Sequence, residues 1–287
     1  MLQETPKNTR MIVVSLVVLA AILMILWVPF ASFDMSNPIV KYQQQRIAKF
    51  EAEGNPQAPL LTLTVWLVSF FYPFWGTMSF VAGIVLLVIA KALYEGESWT
   101  RGLALLCLAV PAIGGAYMIV PWMNFVMSVE GGFPPAVIIM TIGLIPYFAL
   151  LLAENVDNTQ KLVDFLVFLM LGVSAAENFA NGHASYRILF GHPARPLYAE
   201  GIAITFFSWL GLWVSMAFCI AAIYLLGQKK MSGWYCGMIG GIVGLIASGA
   251  THYVRHATND YLYGALMGLS IVVMLAIPLF KKRLVQE

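Results

Sequence analysis

The chain is expected to be an all-α, polytopic membrane protein: a bundle of about eight transmembrane helices in a single domain over residues 1–287. Three observations lead there. Hydrophobic residues make up 60% of the sequence and charged residues only 10%, whereas a water-solvated domain carries about 25% charged residues. Eight long apolar runs follow one another, with almost every ionisable residue in the gaps between them. No run shows the two-residue alternation of a membrane β-barrel strand. A bilayer core of about 30 Å needs about 20 apolar residues per helix, and 287 residues hold eight such spans with short connections.

The expected spans are 11–31, 60–92, 102–127, 134–153, 162–182, 200–226, 233–254 and 261–280. The first follows Lys7 and Arg10, like a secretory signal. Its apolar stretch is long for one, though, and Trp27, Pro29 and Phe30 stand where small cleavage-site residues belong, so it reads as a retained helix. In the segment 32–59, Asn37 offers an N-cap, Pro38 suits the first helical turn and Gly54 a stop. A short surface helix near 37–53 is expected there. The second span is overlong, and Pro73 predicts a kink in it, while Pro111, Pro121 and Pro146 mark bends further on.

Orientation follows from basic residues in short loops. With the N-terminus inside, Lys7, Arg10, Lys91, Arg101, Lys161, Lys229, Lys230, Lys281, Lys282 and Arg283 are cytoplasmic. Lys41, Arg46, Lys49, Arg187, Arg195 and Arg255 are external. Both termini are therefore expected in the cytoplasm, and the location is the cell membrane, crossed many times. Glu154, Asn155, Asp157 and Asn158 read as a solvated inner loop. Asp164, near a helix N-terminus where the backbone dipole tolerates an acid, needs no functional account.

Candidate chemistry gathers at the outer side. All four histidines, His183, His192, His252 and His256, fall at or beyond the outer ends of the fifth and seventh spans. His252 and His256 stand four residues apart on one helical face, a spacing that lets two imidazoles share a divalent ion. Glu177 lies about 23 Å along its helix from Leu162, at a depth where an acid is costly and marks a site or a buried partner. Arg187, Arg255 or a nearby hydroxyl are its structural partners of choice. Asn178 and Asn181 add a polar stripe, and Tyr253 stands beside the histidines. In the seventh span Gly237, Gly241 and Gly244 form a small-residue strip suited to close helix packing, with Gly233 near the helix end expected to tolerate bulk.

Three function classes result. The first is a metal- or redox-cofactor protein, with Glu177 as the catalytic acid, the four histidines as ligands to zinc, copper or iron, and Asn178, Asn181 and Tyr253 around the cofactor; haem is a variant. The second is an anchor subunit of a respiratory-type complex that binds quinone or no cofactor, with other membrane or extracytoplasmic subunits as partners beside the lipid bilayer. The third is a proton-coupled transporter using Glu177. A net charge of +2 excludes nucleic acid as a partner. Cys107, Cys219 and Cys236 read as packed thiols, and no phosphate loop, zinc-protease or nucleophile-elbow motif is present.

Overall fold

In the computed structural model, residues 5–191, 202–255 and 258–286 are described, and these are helical throughout apart from connecting turns. The order is α1 (Lys7–Leu26), α2 (Val28–Ala52), α3 (Ala58–Glu95), α4 (Ser98–Trp122), a π-turn (Met123–Met127), α5 (Ser128–Glu130), α6 (Ala136–Leu152), α7 (Asn158–Phe190), α8 (Ile202–Gly227), α9 (Met231–Val254), α10 (Asp260–Ala276) and α11 (Pro278–Leu284).

Six of these helices are long and apolar enough to cross a membrane: Lys7–Leu26, Ala58–Glu95, Ser98–Met127, Asn158–Phe190, Ala203–Gly227 and Met231–Val254. A seventh is added if α10 and α11, bent by 81° at Ile277, count as one span, and Ala136–Leu152 is a shorter apolar helix. The two runs that fall below the expected eight are each 17 residues long, about 25 Å against a core of about 30 Å. Lipid-facing positions carry large apolar side chains, Val88 being 77% exposed. Buried positions mix large aliphatic side chains such as Leu86 and Leu105 with aromatic ones such as Tyr72 and Phe168 and with alanine and serine. α4 and α7 are central, with 61% and 56% of their apolar windows buried against 33% for α1.

The segment after the first span differs from expectation. α2 begins at Val28, one residue after α1, and runs 25 residues with Pro38 inside it rather than at its start. Local capping signals at Asn37 and Pro38 lose to tertiary packing: Val28, Ser32, Met35, Ser36 and Ile39 are buried, and a Cβ on Gly76 of α3 would stand 3.1 Å from both Pro29 and Ser32. Bare glycine lets α2 lie directly on α3.

The glycines of α9 divide. Gly241 meets the α10 backbone, where a Cβ on Gly268 would stand 2.7 Å from the Gly241 carbonyl oxygen. Gly237 and Gly244 face side chains instead, Leu275 and Ser215. Gly233 is no tolerant position, since a Cβ there would sit 2.5 Å from the Leu226 nitrogen in the tight α8–α9 turn.

Both chain ends share one end of the bundle. The Thr5 hydroxyl donates to the Ala153 carbonyl at 3.2 Å, and the Gln286 amide donates to the Lys229 carbonyl at 2.9 Å. Ala153 and Lys229 flank the ion cluster described next.

Candidate functional site

Four ionisable side chains are buried together at the end that carries the termini. Arg101, in the first turn of α4, donates through Nε to Glu154 Oε1 at 2.7 Å, and through Nη2 to Glu154 Oε2 at 3.3 Å and Asp164 Oδ2 at 3.4 Å. Its Nη1 donates to the Gly227 carbonyl at 2.8 Å, tying in the end of α8. Lys229 stands 3.6 Å from Asp164, and Gln160 donates to the other Asp164 oxygen at 2.9 Å. Side-chain exposure is 5% for Arg101, 2% for Glu154, 1% for Asp164 and 11% for Lys229. Two acids thus face two bases in a low-dielectric pocket, where only complete pairing offsets desolvation. Burial lowers the affinity of Lys229 for its proton, and Asp164 counteracts that. Asp157 caps α7 by accepting from the Gln160 amide at 2.9 Å and pairs with Arg283 near the C-terminus. Both contacts hold its carboxyl below the ordinary aspartate range.

Glu154, expected in a wet loop, and Asp164, expected merely to be tolerated at a helix start, are therefore structural. Glu154 and Asp164 lock the ends of α4, α6, α7 and α8 together.

Along α7 the polar residues form a seam directed at α8, α9 and α10. Asn178 Nδ2 donates to Ser215 Oγ at 2.8 Å, whose hydroxyl donates to the Gly240 carbonyl at 2.7 Å. Asn181 Nδ2 lies 3.1 Å from both Glu177 Oε1 and the Asp260 carbonyl. Ser185 shares hydrogen bonds with Tyr261 at 2.7 Å and Ser208 at 3.1 Å. The partner that holds Glu177 is thus an amide on its own helix, one turn on, and no ion pair joins it to Arg187 or Arg255 among the described residues.

His183 is buried, and its Nδ1 shares a 2.6 Å hydrogen bond with the Tyr117 hydroxyl. Phe71 and Tyr117, with ring centroids 5.5 Å away, and Phe179, at 6.5 Å, enclose the imidazole. Gly182 makes room for the cage, since a Cβ there would stand 2.4 Å from Trp213. His252 occupies the last turn of α9 and Tyr253 beside it is 81% exposed. His192 and His256 lie outside the described residues. Among those described, no three His, Cys, Asp or Glu side chains converge as metal ligands.

Sequence reasoning did not find the cavity on the other side of Glu177. A space of about 220 Å³ lies between α4, α6 and α7, walled by apolar groups such as Ala112, Ala116, Leu144 and Val173. Among the described residues Glu177 is the only charged one on that wall, and Tyr117 and Tyr147 are the phenols that line it. Tyr147 is 4% exposed, and its hydroxyl is buried away from the space, with no hydrogen-bond partner among the described residues. Gly172 also lines the space, and a Cβ there would meet nothing within 4 Å. An apolar cavity of about 150 Å³ is enough to stay dry and bind benzene, so this one accommodates a substituted ring. Glu177 lies nine residues beyond Phe168 on the same wall, about 13 Å along α7, so the space is a slot rather than a sphere. Its one sequence signal was the small-residue pattern of Ala109, Ala112, Ala116 and Gly172, which reads equally as helix packing. Compared with known proteins, the chain matches no family model, no curated protein and no solved structure.

Proposed function

We propose that this protein crosses the membrane eight times with both termini in the cytoplasm, and that it binds an amphipathic, ring-bearing lipid-soluble molecule of the quinone class between α4, α6 and α7. Two features support counting the 17-residue helices α6 and α10 as crossings. α6 ends beside Glu154 at the termini's end, as a return from the far end of α4 requires. α10 starts at Asp260, bonded to Asn181, and finishes where the Leu275 carbonyl accepts from Trp234 Nε1 at 2.9 Å near the start of α9. The ten-to-six basic asymmetry supports termini on the inside.

The observation that carries the ligand reading is an apolar cavity sized for a ring, on whose wall Glu177 is the one charged residue among the described residues. The apolar remainder of the ligand lies along Gly172 and Val173, and Val173 is 40% exposed toward lipid.

The test is a titration of the purified protein in nanodiscs with a short-chain quinone, read by thermal unfolding. Saturable stabilisation is expected, and Gly172→Leu, whose side chain enters the same space, should abolish it. Stabilisation that never saturates, or that is unchanged in Gly172→Leu, contradicts the reading. The position of Glu177 on the same wall favours a second reading, proton-coupled transport. That reading requires proton-gradient-driven solute uptake into vesicles that Glu177→Gln abolishes.

A further inference from the structure

Among the described residues, one side chain on the wall between α4, α6 and α7 keeps a polar atom free for a ligand. Of the two phenols there, Tyr117 is engaged with His183 Nδ1 at 2.6 Å, and the Tyr147 hydroxyl is buried away from the space. Apart from these and Glu177, the lining side chains are apolar.

Glu177 is held in place from behind. Its Oε1 accepts from Asn181 Nδ2 at 3.1 Å, and the same nitrogen donates to the Asp260 carbonyl at the start of α10, also at 3.1 Å. Asn181 is 4% exposed, and its two N–H groups are both committed by these bonds. Glu177 makes no further hydrogen bond and no ion pair among the described residues. One carboxyl oxygen of a wall residue is thus left without a protein partner, at a depth where an acid is costly unless it finds one.

The chemistry of that oxygen selects between the two redox forms of a quinone-class ligand. A quinone offers carbonyl oxygens, which only accept. The reduced form, a hydroquinone, offers hydroxyls, which both donate and accept. An ionised carboxylate is acceptor-only, so a hydroxyl can bond to it and a carbonyl cannot. A neutral carboxyl can bond to either. A ring hydroxyl therefore finds a partner in both protonation states, and a ring carbonyl in the neutral one alone. Hydrogen bonds to a charged group are also the stronger kind.

We propose that Glu177 is the specificity-determining residue of this cavity, and that it accepts a hydrogen bond from a ring hydroxyl and so holds the hydroquinone form of the ligand more tightly than the quinone form. The proposal rests on the quinone-class reading of the cavity, and adds the redox form preferred and the group that recognises it.

The experiment titrates the full-length protein in nanodiscs, under argon, with a short-chain hydroquinone, the matching quinone, and the dimethyl ether of the hydroquinone, which keeps the ring and loses both donors. Apparent affinities are read from the rise in unfolding midpoint. The wild type should bind the hydroquinone about tenfold or more tighter than the quinone or the ether, as a charge-assisted contact allows. Glu177→Gln keeps the shape and an acceptor for Asn181, and replaces the free oxygen with an N–H donor, so the preference should vanish or reverse. A preference that survives intact in Glu177→Gln overturns the proposal. Equal affinity of the wild type for hydroquinone and quinone also overturns it; if that binding saturates and is abolished by Gly172→Leu, the quinone-class reading still stands. Saturation by neither form overturns both. If Glu177→Gln fails to fold, the wild-type series decides. An ether bound as tightly as the hydroquinone overturns the proposal. Ether and quinone both bound about tenfold more weakly bear it out, since the quinone is no larger than the hydroquinone.

Discussion

Removing Arg101 should damage this protein more than any other single change at its termini end, and removing Glu154 with it should repair most of the damage. Arg101→Met leaves two buried carboxylates facing one ammonium, Lys229, which reaches only Asp164, at 3.6 Å. Glu154, 2% exposed, is then left without its bidentate guanidinium partner. Breaking a buried pair in this way costs about 3–5 kcal/mol, a large part of the 5–15 kcal/mol that stabilises a typical domain. Glu154→Met creates the mirror-image defect, an excess of positive charge, with a similar cost. In the double variant the remaining charges, Asp164 and Lys229, balance. What persists is the Gly227 carbonyl, deprived of its 2.8 Å donor, an unsatisfied acceptor worth about 1–3 kcal/mol. The double variant should therefore be no less stable than either single one, a coupling of about 3 kcal/mol or more. Reversible unfolding in mixed micelles measures all three variants. Losses that simply add would refute the closed four-ion network.

Further outcomes follow from the same geometry. Gly172→Leu puts its side chain into open space and replaces a poor helix former, so the protein should gain about 1 kcal/mol in the absence of ligand, read by the same unfolding assay. Gly268→Leu should prevent proper folding, because its Cβ would stand 2.6 Å from the Leu245 nitrogen of α9; normal yield and melting behaviour would count against the α9–α10 contact. Reporter fusions at Lys229 and Gln57 should give opposite signals, and identical signals would end the eight-crossing reading. Asp157 has a folded-state pKa below its usual value because of the Gln160 amide and Arg283. Its contribution is therefore present at neutral pH, above the unfolded value of 3.8, and is lost as pH falls through the lower folded value. Asp157→Asn should remove that contribution at neutral pH and flatten the acid limb of a stability–pH profile.

The sequence made the helices legible because lipid demands long apolar runs and expels charge to their ends. It was less informative where the outcome depends on which helix ends are neighbours. Arg101, Glu154, Asp164 and Lys229 sit in three separate gaps or first turns, and each alone resembles a wet terminus. Only the closure of α4, α6, α7 and α8 around one point makes them a buried network. Asn37 and Pro38 gave a plausible local start for a helix, yet α2 already begins at Val28, where the bare face of Gly76 seats Pro29 and Ser32 on α3. His183 was expected as a candidate ligand just past the end of its helix, whereas α7 runs on to Phe190 and buries it, and its partner, Tyr117, is 66 positions away. The cavity escaped notice because alanine and glycine facing a void read the same as alanine and glycine facing a helix.

A photoreactive short-chain quinone, cross-linked to the purified protein in nanodiscs and mapped by mass spectrometry, tests the central claim most directly. Labelling is predicted on the α4–α6–α7 wall around Ala116, Tyr147 and Val173, displaced by excess unmodified quinone and abolished by Gly172→Leu, whose side chain occupies the same space. Labelling spread over the lipid-facing surface, or wall labelling that survives intact in Gly172→Leu, would contradict it.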